Sequence, residues 1–219
     1  MKSNSISLQE IHKKYMQPIE NKIVSRVHGH GMGWCFTPKE FWDLGNANAV
    51  RVALFRLVQK KIIRRLSNGL FDYPRKHKQL GLLSPSPDAL AQAVSSRDAI
   101  RIQASGAYAA NLLGLSEQVP AKIVYLTDGA SRRVKIGIRE IRLKHTTPRN
   151  MATAGRISGT VIQAFKFIGK SRMTSRYVEI LRKKLSTEDK KCLVKDRNYA
   201  PAWMHRWLME AGGGMLSDA

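Results

Sequence analysis

The 219-residue sequence has few cysteines, few acidic side chains and no long apolar run. Its two cysteines, Cys35 and Cys192, are too few and too far apart to suggest a metal site or a disulfide framework. No apolar run approaches the length of a membrane span. Residues 7–15 mix polar and charged side chains, unlike the apolar region of a signal peptide. We therefore expect a cytoplasmic protein with no metal, no cofactor and no membrane contact.

Positive charge is abundant and unevenly distributed. The chain has 38 Lys and Arg against 16 Asp and Glu, a net charge of +22. The excess lies in residues 1–78 (+10), 131–149 (+6) and 170–206 (+7), whereas residues 79–130 are nearly neutral. Such blocks favour a phosphate backbone or an acidic protein as the partner. The alternative is a solvated basic surface that binds nothing in particular.

Residues 37–74 have the pattern of a helix-turn-helix followed by a hairpin. Thr37 and Pro38 begin a short helix over residues 39–44, because a hydroxyl cap and a proline at the first helical position are favourable there. A glycine ends that helix, and Asn46 is placed to cap the next one. The largest basic block therefore coincides with a DNA-binding pattern.

The second helix of this pattern carries apolar residues at spacings of three and four, which predicts a face packed in the core. The members of this stripe are Val50, Leu54, Leu57 and Val58. We also expect Trp42 and Phe55 to lie in the core rather than to stack on bases. Asn68-Gly69 favours a tight turn between strands at residues 62–66 and 70–73, because both residue types accept positive φ angles.

We predict an α/β (α+β) protein of two domains. The first is a winged helix-turn-helix domain over residues 1–78, in which an amphipathic helix at 7–28 packs behind the two helices of the helix-turn-helix. A linker at 75–87 leads to a mixed α/β domain over residues 88–210. Basic and apolar residues alternate in residues 131–145, which indicates strands with one buried face and one exposed face. The basic residues assigned to the exposed face are Arg132, Lys135, Arg139, Arg142 and Lys144.

The DNA-contacting residues can be predicted individually. The second helix of a helix-turn-helix enters the major groove, with its N-terminal half against base edges. Asn48 and Arg51 are three residues apart and share a face, and their side chains suit adenine and guanine respectively. The other predicted contacts lie at helix starts, late in the second helix and on the hairpin: Thr37, Lys39, Asn46, Arg56, Lys60, Arg64, Arg65 and Asn68. For Arg56 the alternative is an ion pair with Glu40 or Asp43.

No motif places a carboxylate beside a histidine, so we expect a protein that is not an enzyme. Two other hypotheses stay open. One is a basic interaction protein that binds an acidic protein or a structured RNA through its winged helix. The other is a nucleic-acid enzyme with a site formed by residues 105–111 and Asp128.

Several longer blocks resemble the AbiEi-type antitoxins of bacterial type IV toxin–antitoxin systems. They include GWCFTPKEFWDLG at 33–45, ALFRLVQKKIIRRLSNGLFDYP at 53–74, SGAYAANLLGLSEQVP at 105–120 and TTPRNMATAGRISGTVIQA at 146–164. The resemblance extends from about residue 30 to 205. The chain departs from the pattern at residues 45–48, where a serine cap and a basic residue are expected to open the recognition helix.

This resemblance implies an N-terminal winged helix that represses its own operon by binding duplex DNA at operator repeats. It also implies a C-terminal domain that serves as antitoxin against a nucleotidyltransferase-type toxin encoded nearby, without a necessarily stable complex. The operator-reading residues would then be Thr37, Asn46, Asn48, Arg51, Arg64 and Arg65.

Overall fold

The computed structural model describes residues 19–136 and 139–214. It confirms the predicted mixed α/β class, with helices and small sheets in both halves of the chain. Two compact units are present, Met1–Arg97 and Asp98–Ala219. Within the described residues, no helix is long and apolar enough to cross a bilayer.

The division between the units lies later than the linker that the sequence suggests at residues 75–87. The helix that follows this linker is tied to the first unit. Its Arg97 carbonyl oxygen accepts a hydrogen bond from Lys39 Nζ at 2.7 Å. The Ser96 hydroxyl donates to the Glu40 carboxylate at 2.8 Å. These bonds connect the end of that helix to the rest of the first unit, which continues to Arg97.

The first unit contains helices and short strands in alternation. In chain order its elements are α1 (Ile19–His30), β1 (Cys35–Phe36), a 3₁₀ turn (Pro38–Phe41), α2 (Ala47–Gln59), β2 (Arg64–Ser67), β3 (Leu70–Asp72), β4 (Lys76–His77), β5 (Gly81–Leu82) and α3 (Pro87–Asp98). Strands β1, β3 and β2 form an antiparallel sheet in that order, and β4 pairs with β5. The predicted amphipathic helix at 7–28 is present as α1 from Ile19, while its residues 7–18 lie outside the described residues.

The core of the first unit joins α1, α2 and the three-stranded sheet. Ile23 and Val27 of α1 are fully buried, as are Val50 and Leu57 of α2. Aromatic rings complete this core, with the Phe36 ring 5.4 Å from that of Phe41 in an edge-to-face arrangement. The apolar stripe predicted for the second helix therefore faces the core, and the opposite face of α2 is left to solvent.

The second unit is built around a four-stranded sheet. Its elements are β6 (Ile102–Ala104), α4 (Gly106–Leu112), β7 (Ile123–Thr127), β8 (Arg132–Ile136), β9 (Arg139–His145), α5 (Pro148–Met151), α6 (Ile157–Ile168), α7 (Ser175–Lys184), α8 (Thr187–Asp196) and α9 (His205–Ala211), with 3₁₀ turns at Lys170–Arg172, Arg197–Tyr199 and Ala202–Met204. The strand order is β6-β7-β9-β8, in which only the β7–β9 pair is parallel among the described strands. Helix α6 is buried along most of its length and packs against α4 and β6.

Gly159 allows α6 to approach the sheet closely. A Cβ atom at this position would overlap both the Gln103 side-chain amide and the Thr153 carbonyl oxygen. The Gln103 amide is itself buried and hydrogen bonds with the Thr160 hydroxyl at 3.0 Å. The absence of a side chain at Gly159 therefore leaves room for the hydrogen bond between Gln103 of β6 and Thr160 of α6.

We predict that Gly159→Ala destabilises the protein by about 1 to 2 kcal/mol, the usual cost of overfilling a packed contact. The free energy of unfolding from urea denaturation measures the effect. Gly29→Ala is the matched control, because a Cβ atom at Gly29 in α1 would meet nothing within 4 Å. Equal stabilities of the two variants would contradict this account of the α6 contact.

Candidate nucleic-acid interface

The exposed face of α2 brings together polar, basic and apolar side chains. Helical spacing places Asn48, Arg51, Val52, Phe55 and Gln59 within about a third of the helix circumference. All five are exposed. Within the part of the chain that the structure describes, the side chains of Asn48, Arg51 and Gln59 form no hydrogen bond or ion pair. Three side chains with unused hydrogen-bonding groups therefore project from one rigid helix.

A groove with a volume of about 480 Å³ separates α2 from the β2–β3 hairpin. Residues from both elements line it: Pro38, Arg51, Leu54, Phe55, Val58, Gln59, Arg65, Asn68, Gly69 and Phe71. Each wall carries a guanidinium group, Arg51 on the helix and Arg65 on the hairpin. The Arg65 guanidinium donates to the side-chain oxygen of Asn68 at 3.2 Å. Two of the three predicted hairpin residues, Arg65 and Asn68, thus lie beside the exposed face of α2.

The hairpin turn has part of the geometry that the Asn68-Gly69 pair predicts. Gly69 has a positive φ of 66°, as predicted, whereas Asn68 does not have a positive φ, and the pairing register shifts between Arg65 and Ser67. Asn46 also has its predicted role, because its side-chain oxygen accepts the backbone N–H of Ala49 at 2.8 Å and caps α2. The turn and the cap fix the two elements that border the groove.

Besides Asn46, four residues that the sequence assigns to DNA contact are buried or bound to other groups of the protein. Thr37 is only 1% exposed, so its hydroxyl is not available to a phosphate. Among the described residues this hydroxyl also forms no hydrogen bond, so the predicted side-chain cap at Thr37 is wrong. Lys39 donates to the Arg97 carbonyl, as described above, and Lys60 forms an ion pair with Glu20 of α1. Arg64, the fourth, pairs with a buried carboxylate.

Arg64 and Asp72 lie directly opposite each other on β2 and β3. The Arg64 guanidinium donates twice to the Asp72 carboxylate, at 3.0 and 2.7 Å, and a third time to the Leu83 carbonyl at 2.9 Å. Asp72 is fully buried, and the hydrogen bond to it raises the pKa of Arg64 above its ordinary value. Burial, with the Asp72 charge adding to it, raises the pKa of the neighbouring Cys35 thiol to about 12. Arg64 is therefore a structural residue of the sheet.

Arg56 does not form either of the ion pairs considered for it. Asp43 is bound by Arg26 through two hydrogen bonds of 2.8 and 2.6 Å, and these lower the pKa of the Asp43 carboxyl. Glu40 accepts the Ser96 hydroxyl. Arg56 is exposed at the edge of the α2 face, and its side chain forms no hydrogen bond or ion pair with the described residues.

The prediction that Phe55 and Trp42 lie in the core is wrong. Phe55 is 62% exposed and Trp42 is 53% exposed. The signal was present in the sequence, because Phe55 follows Asn48 by seven positions and Arg51 by four, whereas the core stripe runs through Val50, Leu54 and Leu57. Helical periodicity alone thus places Phe55 on the face that carries the polar candidates.

The comparisons with known proteins identify a family. A family model described as a family of unknown function, DUF6088, matches residues 19–193. The chain belongs to the DUF6088 family. No curated protein matches the chain. The DUF6088 match spans the exposed face of α2, the hairpin and the four-stranded sheet, so every described candidate residue lies within the family region.

At Arg132 the basic face of the second unit differs from its prediction. Arg132 lies opposite Leu143, which is buried, and forms an ion pair with Asp98. Since successive strand residues point to opposite faces, Arg132 and Lys135 cannot share a face of β8. Arg133 takes the place of Arg132 on the exposed side.

The observed basic face of the sheet consists of Arg133, Lys135, Arg142 and Lys144. Arg133 lies directly opposite Arg142, and the Glu140 carboxylate is 3.8 Å from both guanidinium groups. Arg139 belongs to β9, but its side chain is outside the described part of the structure. This face remains a second candidate for contact with an anionic partner.

Asp128, the residue considered for catalysis, is bound by Arg101. The Arg101 backbone N–H and guanidinium each donate to the Asp128 carboxylate at 2.8 Å, and the side-chain bond is the largest cause of the lowered pKa of Asp128. Among residues 19–136 and 139–214, no group of three or more His, Cys, Asp or Glu is arranged to hold a metal ion.

Proposed function

We propose that this protein is a sequence-specific DNA-binding repressor whose α2 helix enters the major groove. The observation that carries the proposal is the exposed face of α2, where the side chains of Asn48 and Arg51 have no partner among residues 19–136 and 139–214. The beginning of a recognition helix is where base contacts are made, and both residues lie in the first half of α2. The helix, the turn before it and the hairpin after it would then form a winged helix-turn-helix.

The hairpin would contact the DNA backbone beside α2. Asn68 lies at its tip and Arg65 lies on its first strand, and both line the groove together with Arg51. The Arg65 guanidinium on the hairpin wall suits phosphate oxygens, since arginine donates to them in a bidentate geometry. Arg56, at the edge of the helix face, would add a further backbone contact.

Footprinting on the DNA upstream of the protein's own gene tests the proposal of autorepression. We expect a protected pair of repeats in the presence of excess competitor DNA at about 0.15 M salt. Protection that is absent, or that does not depend on sequence, would contradict it.

Binding should also depend steeply on salt. If about six to eight phosphates are neutralised, the logarithm of the binding constant should fall with the logarithm of salt concentration with a slope of roughly −5 to −7. Fluorescence anisotropy at four or five salt concentrations would give this slope. A slope near zero would exclude an electrostatic contribution from the basic residues.

The resemblance to AbiEi-type antitoxins extends the proposal to a second role, neutralisation of a nucleotidyltransferase-type toxin. Its test is co-expression with the product of the neighbouring gene. Rescue of growth by the wild-type chain, and by a variant that no longer binds DNA, would place this role outside the DNA-binding face. Growth arrest that the chain does not relieve would remove the antitoxin role and leave the repressor proposal standing.

A second candidate function is docking of an acidic protein or a structured RNA on the first unit. The exposed aromatic rings of Trp42 and Phe55 favour it, because aromatic side chains are enriched at protein interfaces. Competition decides between the candidates: a specific duplex should displace any acidic protein captured by the chain. Capture that resists excess specific duplex would favour the docking function.

A further inference from the structure

Phe55 is the side chain on the α2 face that contact with phosphates does not explain. It is 62% exposed, and Val52, three residues earlier, is 42% exposed. Both project from the side of a regular 13-residue helix. A phenyl ring has no donor for a phosphate oxygen, so Phe55 would serve DNA binding only through an apolar contact.

The neighbours of Phe55 narrow the kind of partner that the ring can meet. Arg51 lies one turn before Phe55, and Arg65 lies across the groove. A second copy of this chain, docked symmetrically on the same face, would bring these cations against their own equivalents. Charge complementarity instead favours a polyanion that presents an apolar group among its phosphates and hydrogen-bonding edges.

Duplex DNA presents one such apolar group in the major groove, the 5-methyl group of thymine. Asn and Arg on the same helix face suit adenine and guanine edges, whereas apolar side chains suit this methyl group. The helix rises about 1.5 Å per residue, so Phe55 lies about 6 Å beyond Arg51 along the axis. A helix parallel to the DNA axis would cover about two base pairs at 3.4 Å each over that distance, and a helix inclined to the axis would cover fewer.

We propose that Phe55 determines specificity by contacting the 5-methyl group of a thymine within about two base pairs of the base contacted by Arg51, with Val52 beside it. This inference rests on the proposed DNA-binding function. It adds a readout of thymine to the hydrogen-bonded contacts of Asn48 and Arg51.

The test compares thymine with deoxyuridine, which lacks only the methyl group. A duplex is first selected from a random library with the wild-type chain, and each of its thymines is then replaced singly by deoxyuridine. We expect one replacement to weaken wild-type binding about fourfold, the effect of leaving one methyl-sized group unburied. The same replacement should have a smaller effect on the affinity of Phe55→Ala, in which only Val52 remains beside the methyl group. Phe55→Leu, which keeps an apolar side chain, should retain part of the sensitivity.

The control variant is Phe167→Ala, which removes a 43% exposed phenylalanine from the second unit. It should show the same loss with deoxyuridine as the wild type. If Phe55→Ala and the wild type respond equally at every thymine, the inference is overturned while the DNA-binding function stands. If the random library yields no preferred duplex, the proposed function fails, and this inference fails with it.

Discussion

Arg64→Met is expected to destabilise the first unit by about 3 kcal/mol. The substitution leaves the Asp72 carboxylate buried without the guanidinium that now binds it, and an unpaired buried charge costs about 3 to 5 kcal/mol. The lower figure applies because the Arg64 side chain is 30% exposed, so water can partly replace it. The rate of Cys35 alkylation, followed by mass spectrometry, measures the loss, since this buried thiol reacts when the unit opens.

Two variants control this experiment. Arg65→Met removes the neighbouring exposed arginine and should change stability by less than about 0.5 kcal/mol. The double variant Arg64→Met/Asp72→Leu removes both charges and should recover most of the lost stability. If Arg64→Met is as stable as Arg65→Met, the pair does not stabilise the sheet, and Arg64 becomes a candidate for DNA contact again.

Arg51→Ala is expected to weaken specific DNA binding by about 1 to 3 kcal/mol and to relax discrimination at one base position. Stability should not fall, because the Arg51 side chain is exposed without a partner among the described residues and alanine favours helix. Competition between the selected duplex and single-position variants of it would show which position loses discrimination.

Arg56→Ala is the matched control on the same helix. As a proposed backbone contact, it should weaken binding to all duplexes to a similar extent. An equal loss for Arg51→Ala on specific and random duplexes would make Arg51 a backbone contact too, and would contradict its proposed role in reading a base.

The local pattern of the first unit could be predicted because short-range rules determine it. Asn46 caps α2 and Asn68-Gly69 forms the hairpin turn, since each depends on the conformational preference of one or two residues. The core stripe of α2 follows from helical periodicity in the same way. These features place the exposed face of α2 and the hairpin side by side.

The roles of individual charged residues could not be predicted, because they depend on partners distant in sequence. Lys60 pairs with Glu20, and Arg26 pairs with Asp43. Both pairs form only because α1, which carries Glu20 and Arg26, packs in the core of the first unit. The sequence indicates only that Arg64 is a basic residue of a strand. The register of β2 on β3 is what places it opposite Asp72. Residue spacing was enough to predict that Phe55 is exposed and that Arg132 does not share a strand face with Lys135. These two predictions are wrong because the pattern was misinterpreted, although the pattern itself was clear.

Selection of duplexes from a random library, with the wild-type chain at about 0.15 M salt, tests the central claim most directly. The account predicts enrichment of one motif whose preferred bases include positions that Arg51→Ala no longer discriminates. Enrichment of no motif, with equal binding to all duplexes, would contradict sequence-specific DNA binding by α2.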